Sequence, residues 1–130
     1  MFNHQLVVRF RDCDAMGHVN NAVYLTYLEE ARFAHWRSLE KEATVPGVIL
    51  ARVEVDYRKP AKFGDHLEIR INLERIGTTS LTYQYAIENQ DGERIADARS
   101  VLVSYDYAAG KPMTVPDEIR RRILASAGQL

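Results

Sequence analysis

The residues with the clearest chemical potential run Arg11-Asp12-Cys13-Asp14-Ala15-Met16-Gly17-His18-Val19-Asn20-Asn21. A carboxylate in such a run could attack an activated acyl carbon, or take a proton from water. The run ends where a long helix is expected to start. There, backbone N–H groups lack intrahelical partners and the dipole favours negative charge, so the place can hold an anion or polarise a carbonyl oxygen. Gly17 lets backbone approach a ligand because it has no Cβ. His18 could orient water or touch an acyl group, or serve as a polar residue in the turn before the helix. A structural reading competes with the chemical one. Asp and Asn are preferred helix caps, so Asp14, Asn20 and Asn21 could do no more than cap and turn the chain. Periodicity and capping alone favour that plainer reading, and the spacing is not by itself a known chemical signature. Cys13 has no Cys-His-Asn context and reads as strand packing. Asp12, Asp14 and His18 lack the paired His or Cys spacing of a metal site, so no metal is expected.

The elements that must position this run follow from hydrophobic period. Leu6, Val8 and Phe10 alternate with Val7, Arg9 and Arg11, which predicts a short first strand. From Asn21 to about Glu42 the pattern is helical. Val23, Tyr24, Leu25, Tyr27, Leu28, Ala31, Ala34 and Leu39 form a wide apolar face, with Thr26, Glu30, Arg37 and Lys41 roughly opposite. Pro46-Gly47 closes the segment. In 48–58, Ile49, Ala51, Val53, Val55 and Tyr57 are expected on one face, and Arg52, Glu54, Asp56 and Arg58 on the other. Leu67, Ile69, Ile71 and Leu73 alternate with His66, Glu68, Arg70 and Asn72, as on a strand with one wet face. Leu81, Tyr83, Tyr85 and Ile87 repeat the alternation. Asp91-Gly92 marks a hairpin into Ile95–Tyr107, Gly110-Lys111-Pro112 marks a turn, and Pro116 suits the start of a short last helix carrying Ile119, Ile123 and Leu124. Strands joined by short turns pair antiparallel, and one long helix is a fitting partner for the apolar face of their sheet. A single helix covers five strands poorly, so dimers or larger assemblies are expected.

The 130 residues suit one domain spanning 1–130, with 46% hydrophobic and 27% charged residues. A net charge of −1 gives no footprint for nucleic acid, and no apolar run is long enough to span a bilayer. The single cysteine and the absence of a secretion-signal pattern at Met1–Gln5 suggest a cytoplasmic location.

The stretch Asp14-Ala-Met-Gly17-His18-Val19-Asn20-Asn21-Ala-Val-Tyr24-Leu25, followed by Glu29-Glu30-Ala31-Arg32, resembles the hot-dog-fold thioesterases of the 4-hydroxybenzoyl-CoA thioesterase and YbgC-like type. Val55-Asp56-Tyr57-Arg58-Lys59-Pro60-Ala61, Gly64-Asp65, and Gly110-Lys111-Pro112 with Pro116 carry the resemblance across nearly the whole chain. It implies an α+β hot-dog fold: a five-stranded antiparallel sheet wrapped around one long central helix, with a short C-terminal helix. It also implies hydrolysis of acyl-CoA, or acyl carrier protein, thioesters. The family's catalytic acid falls on Asp14 rather than Asp12, and the backbone N–H that polarises the thioester carbonyl falls on Asn21. The His-Val-Asn-Asn run is also similar to plant acyl-ACP thioesterases, whose Asp and His fall on Asp14 and His18. Their Asn two places after the Asp is Met16 here.

The basic residues that the 4-hydroxybenzoyl-CoA branch carries near the strand start are absent from Gly77-Thr78-Thr79-Ser80. Arg58, Lys59 and Lys62 form the nearest basic cluster in sequence, though a solvated strand end also accounts for them. The candidate catalytic set is therefore Asp14, Asn21, Gly17 and His18. The candidate substrate contacts are Tyr24, Arg58, Lys59, Thr79 and Ser80. No cofactor is expected, since coenzyme A would be part of the substrate. The expected assembly is a homodimer or homotetramer with sites at the subunit interface, and neither nucleic acid nor membrane is an expected partner. Some hot-dog thioesterases place their acid on the central helix, but Glu29 is spaced for an ion pair with Arg32. Tyr24, Tyr27, Phe33 and Trp36 could line an aromatic pocket or simply be core. The rival functions are a hot-dog hydratase or dehydratase and a non-catalytic acyl-thioester-binding module. A different α+β fold is the remaining alternative.

Overall fold

The computed structural model describes residues 1–39 and 47–128. Strand β1 (Phe2–Val7) is followed by a single 3-10 turn at Phe10–Asp12 and by helix α1 (Val23–Ser38). Strands β2 (Val48–Tyr57), β3 (His66–Ile76), β4 (Ser80–Glu88), β5 (Arg94–Asp106) and β6 (Lys111–Pro112) come next, and helix α2 (Asp117–Gly128) ends the described chain. The sheet order is β1-β3-β4-β5-β2, with β6 beside β5, and every pairing is antiparallel. The expected five strands are present. The Gly110-Lys111-Pro112 turn adds a sixth, because Lys111 and Pro112 pair back onto Asp106 and Tyr105. No described helix is long and apolar enough to cross a membrane.

The alternation in β3 and β4 works as the sequence predicts. Leu67, Ile69 and Ile71 of β3 and Leu81, Tyr83, Tyr85 and Ile87 of β4 are all buried. Each such side chain removed from water is worth about 1.5–3 kcal/mol. Two other strands depart from their patterns. β1 stops at Val7, and Phe10 lies in the 3-10 turn, 79% exposed, with its ring edge-on to exposed Phe63. In β2 the expected face is broken at Ala51. Leu50 stands opposite Leu102 while Arg52 stands opposite Val101, so Ala51 is the extra residue of a β-bulge. The bulge puts Val48 and Leu50 on the face shared by Val53, Val55 and Tyr57, and moves Ile49 to the other. Period-2 reading cannot detect one inserted residue, because every position before it changes face. The outer face of the sheet is wet, with Arg70–Glu88 and Arg99–Glu74 ion pairs at 2.6 and 2.7 Å.

Helix α1 lies on the inner face. Tyr24, Tyr27, Leu28, Ala31 and Trp36 are buried there, whereas Leu25, expected on that face, is 38% exposed. Lys41, Glu42 and Pro46, which framed the expected helix end, lie outside the described residues. The contact with the sheet includes a polar seam. Trp36 Nε1 donates to the Tyr83 hydroxyl (3.1 Å), Arg32 Nη1 donates to the Tyr85 hydroxyl (3.2 Å), and Tyr85 meets Ser100 Oγ at 2.5 Å. The expected Glu29–Arg32 surface pair is not what forms: Arg32 turns inward, 5% exposed. Glu30 pairs instead with His4 Nε2 at 2.6 Å.

His35 is buried between Phe2 and Tyr83, with ring centroids 5.4 and 5.8 Å away. Its Nδ1 has no hydrogen-bond partner among the described residues. Burial, helped by the charge of the chain's amino group, pushes its pKa down from 6.5 to about 4. The folded protein therefore holds His35 neutral where the unfolded chain protonates it. The stability this gives is complete above pH 6.5 and is lost as pH falls from 6.5 towards 4, on the order of 3 kcal/mol in all. Urea midpoints measured across that window should fall less steeply in His35→Phe, which keeps the ring contacts and removes the titration. An unchanged slope would assign the acid sensitivity elsewhere.

Candidate active site

The two acids of the motif have opposite environments. Asp12 is 4% exposed, and its Oδ2 accepts the Arg9 backbone N–H (3.0 Å) and the Tyr27 hydroxyl (2.8 Å). The Arg9 guanidinium reaches Oδ1 at 3.2 Å. Burial opposes ionisation, but the Arg9 N–H, the Tyr27 hydroxyl and the Arg9 guanidinium outweigh it and hold the carboxyl below its ordinary value. The Asp12 carbonyl also accepts the Asn20 N–H at 3.0 Å. Asp12 thus fastens both ends of the connection between β1 and α1.

Asp14 stands in a tight turn on that connection. Its carbonyl accepts the Gly17 N–H (3.0 Å), its N–H donates to the His18 carbonyl (2.9 Å), and its Oδ1 accepts the Met16 N–H (2.9 Å). The side chain is exposed, and Oδ2 has no partner among the described residues. Gly17 has φ +81°, and a Cβ placed there would meet nothing within 4 Å. The glycine therefore meets a conformational need of the turn itself, without any close approach in the free protein. The turn is anchored by Val19, whose N–H donates to the Ala61 carbonyl at 2.9 Å, and by bridges from Cys13 to Val19 and from His18 to Lys62.

Asn20 turns the chain into the helix. Its Oδ1 accepts the Ala22 N–H and its carbonyl accepts the Val23 N–H, both at 2.9 Å. This is the local Asx turn that Asn invites; the N-cap position itself, Ala22, has no side-chain cap. The N–H of Asn21 has no partner among the described residues and is an open donor at the helix start. The Asn21 carbonyl accepts the Tyr57 hydroxyl at 2.8 Å.

A cavity of about 350 Å³ opens here, lined by Asp14, Met16, His18, Val19, Asn21, Tyr24, Tyr57, Arg58, Lys59 and Pro60. Asp14, His18, Asn21, Tyr24, Arg58 and Lys59 from the sequence-based set thus converge on one space. Tyr24 is mostly core, with its ring edge-on to Tyr57 at 5.2 Å and its hydroxyl accepting the Ala61 N–H at 3.3 Å. Arg58 Nε donates to Asp97 (2.9 Å) and Lys59 Nζ to Glu93 (2.5 Å), so both cations reach the cavity already paired. Lys59 and Asn89 hold the Glu93 carboxyl below its usual range through hydrogen bonds and charge. Among the described residues no group of three or more His, Cys, Asp or Glu is placed to hold a metal ion.

Thr79 and Ser80 are not brought to this cavity. Ser80 pairs with Val103 on β5, whereas Tyr57 pairs with Ala96, seven positions away along the same strand. At a strand rise of about 3.3 Å per residue that places them roughly 23 Å apart. Trp36 is core rather than pocket lining. Tyr57 was missed as a site residue: alternation marks it as an inward strand residue, and nothing local signals that a strand's last tyrosine bonds a helix start.

The antiparallel sheet packed on one long helix, with the loop before that helix opening into a cavity, is the hot-dog fold. A thioesterase from Thermus thermophilus, solved in complex with coenzyme A and zinc, superposes with a TM-score of 0.85 at 35% identity, covering 97% of this chain and 93% of that one. The long-chain acyl-CoA thioesterase FadM of Escherichia coli is 30% identical over 127 residues, covering 92% of this chain and 94% of its own. The acyl-CoA thioester hydrolase YbgC of Escherichia coli is 27% identical, covering 92% of each. The model of the thioesterase-like superfamily matches residues 8–123, and the chain belongs to that superfamily.

The contrast between the two acids has a measurable consequence. Asp12→Ala leaves the Tyr27 hydroxyl and the Arg9 N–H without their acceptor and should lower the unfolding free energy by about 2–3 kcal/mol in urea titration. Asp14→Asn keeps the Oδ1 acceptor of its turn and should change stability by less than about 0.5 kcal/mol. Equal losses would contradict the division of labour.

Proposed function

We propose that the protein hydrolyses acyl-CoA thioesters in the Asp14 cavity, releasing the carboxylic acid and the free thiol. The observation that carries this reading is that Asp14, with a carboxylate oxygen without a partner, and Asn21, with an N–H without a partner among the described residues, line one cavity. In this reading the thioester carbonyl oxygen accepts the Asn21 N–H, which draws electron density from the carbonyl carbon and steadies the oxyanion. The Asp14 carboxylate either takes a proton from an attacking water or attacks the carbon itself. The carbon–sulfur bond then breaks and the thiolate leaves to be protonated; on the direct-attack route water next hydrolyses the resulting Asp14 acyl anhydride, which releases the acid and restores the carboxylate. His18 lies within reach of the same space, and coenzyme A enters as part of the substrate, so the reaction calls on no separate cofactor. The paired Arg58 and Lys59 offer donors at the rim. The likeness to relatives named as acyl-CoA thioesterases, and to a thioesterase solved with coenzyme A, supports the choice of thiol.

A second copy of the chain belongs to this reading. β2 ends the sheet, and its Ile49 and Leu50 are 37% and 44% exposed, a strand edge suited to pairing with its own copy. Light scattering should give a multiple of 14.9 kDa, two or four chains, and a monomer at micromolar concentration would overturn that part.

The activity is tested by thiol release from acyl-CoAs of short, long and aromatic chains. Asp14→Asn and Asp14→Ala should each lower kcat by roughly 10²–10⁴-fold. Unchanged turnover in both variants would remove Asp14 from the mechanism. A single-turnover digest that yields an acylated Asp14 peptide would favour direct attack over water activation.

A further inference from the structure

The two peptide groups that flank the Asn21 Cα are each fixed, but by different kinds of partner. The Asn20 carbonyl is bonded by the Val23 N–H (2.9 Å), and the Ala22 N–H is bonded by Asn20 Oδ1 (2.9 Å). Both bonds are local and travel with the helix start. The Asn21 carbonyl is bonded by the Tyr57 hydroxyl (2.8 Å), which comes from the last residue of β2. That residue is fixed in turn by its pairing with Ala96 of β5.

We infer that Tyr57 is a positioning residue: by bonding the Asn21 carbonyl, its hydroxyl holds the helix start, and with it the Asn21 N–H, in place relative to Asp14. The inference rests on the reading of that N–H as the oxyanion contact. A chain of contacts links the two chemical groups through Tyr57. Its ring packs edge-on against Tyr24 at 5.2 Å, the Tyr24 hydroxyl accepts the Ala61 N–H at 3.3 Å, and the Ala61 carbonyl accepts the Val19 N–H at 2.9 Å. Val19 adjoins His18, whose carbonyl accepts the Asp14 N–H. Helix start, strand end and acidic turn are thus tied into one unit with Tyr57 at its centre. Partial burial raises the Tyr57 pKa above its ordinary value, so the hydroxyl keeps its proton at neutral pH. An oxyanion donor must meet its acceptor at about 2.7–3.1 Å, and a misplacement of about 1 Å can cost a hundredfold in rate.

The test measures kcat and KM of the full chain with an acyl-CoA that it hydrolyses. Tyr57→Phe keeps the ring contact and removes only the tie, so kcat should fall roughly tenfold to a hundredfold while KM stays within about twofold. Tyr107→Phe is the control, because its hydroxyl makes a comparable bond (2.6 Å) to the Val48 carbonyl at the other end of β2, and its kcat should not change. Asn21→Pro removes this N–H just before α1, and should lower kcat by itself. Adding Tyr57→Phe to Asn21→Pro should then cost nothing further. A Tyr57→Phe kcat within twofold of the parent, a rise in KM alone, or a full additional loss in the Asn21→Pro background would overturn the inference. An unimpaired Asn21→Pro enzyme would overturn the oxyanion reading as well, which separates the two failures. Should Asn21→Pro not fold, the kcat and KM of Tyr57→Phe against Tyr107→Phe still decide.

Discussion

A carboxylate buried at 4% exposure would be a severe cost without compensation, and Asp12 has four hydrogen bonds converging on it. Tyr27 supplies one from the second turn of α1, and Arg9 supplies the others from just beyond β1. The bond from Tyr27 spans 15 residues and therefore fixes the whole connection against the helix that follows it. With the Asn20 N–H also tied to the Asp12 carbonyl, the loop between them has little room to move. The Asp14 turn, the Asn20 turn and the Asn21 N–H all hang from this anchor. Two acids separated by one residue are divided by it into a structural group and a free one.

Charge around the cavity follows the same logic. Arg58 and Lys59 look in the sequence like a basic cluster waiting for a phosphate, yet each is already bonded to a carboxylate on the β4–β5 side. Exposed pairs of this kind contribute little stability. Their effect is to hold the end of β2 and the Pro60 segment in register with β5, which in turn presents Tyr57 to the helix start. The one carboxylate at the cavity wall that keeps an oxygen unbonded among the described residues is Asp14.

Much of the frame was legible because it depends on local patterning. β3 and β4 bury the residues that alternation selects, the Asp91-Gly92 hairpin forms with Gly92 at φ +75°, and α2 begins at Asp117, next to Pro116. The misreadings share a cause. Phe10 leaves the first strand because Asp12, not Phe10, is what the turn buries. The Ala51 bulge reverses the face of the residues before it without altering the run's composition. Arg32 and His35 are polar residues on a helix, and nothing nearby in sequence says that Tyr83, Tyr85 and Ser100 wait across the core to receive them. Local rules assign such residues to solvent, and only the far partner reverses that.

The sequence alone determined the antiparallel sheet with one long helix and the hairpin turns, and it singled out the segment from Asp14 to Asn21 as the candidate for chemistry through a motif whose resemblance to thioesterases spans the chain. These are properties of short stretches, set by side-chain period, turn chemistry and helix ends. Tertiary structure alone decided which acid is free, because that depends on Tyr27 reaching Asp12 and not Asp14. It alone placed Thr79 and Ser80 at the far end of the sheet and brought Tyr57 to the Asn21 carbonyl. Each of those outcomes is a contact between residues distant in sequence, fixed by strand register and by the need to pair every buried polar group.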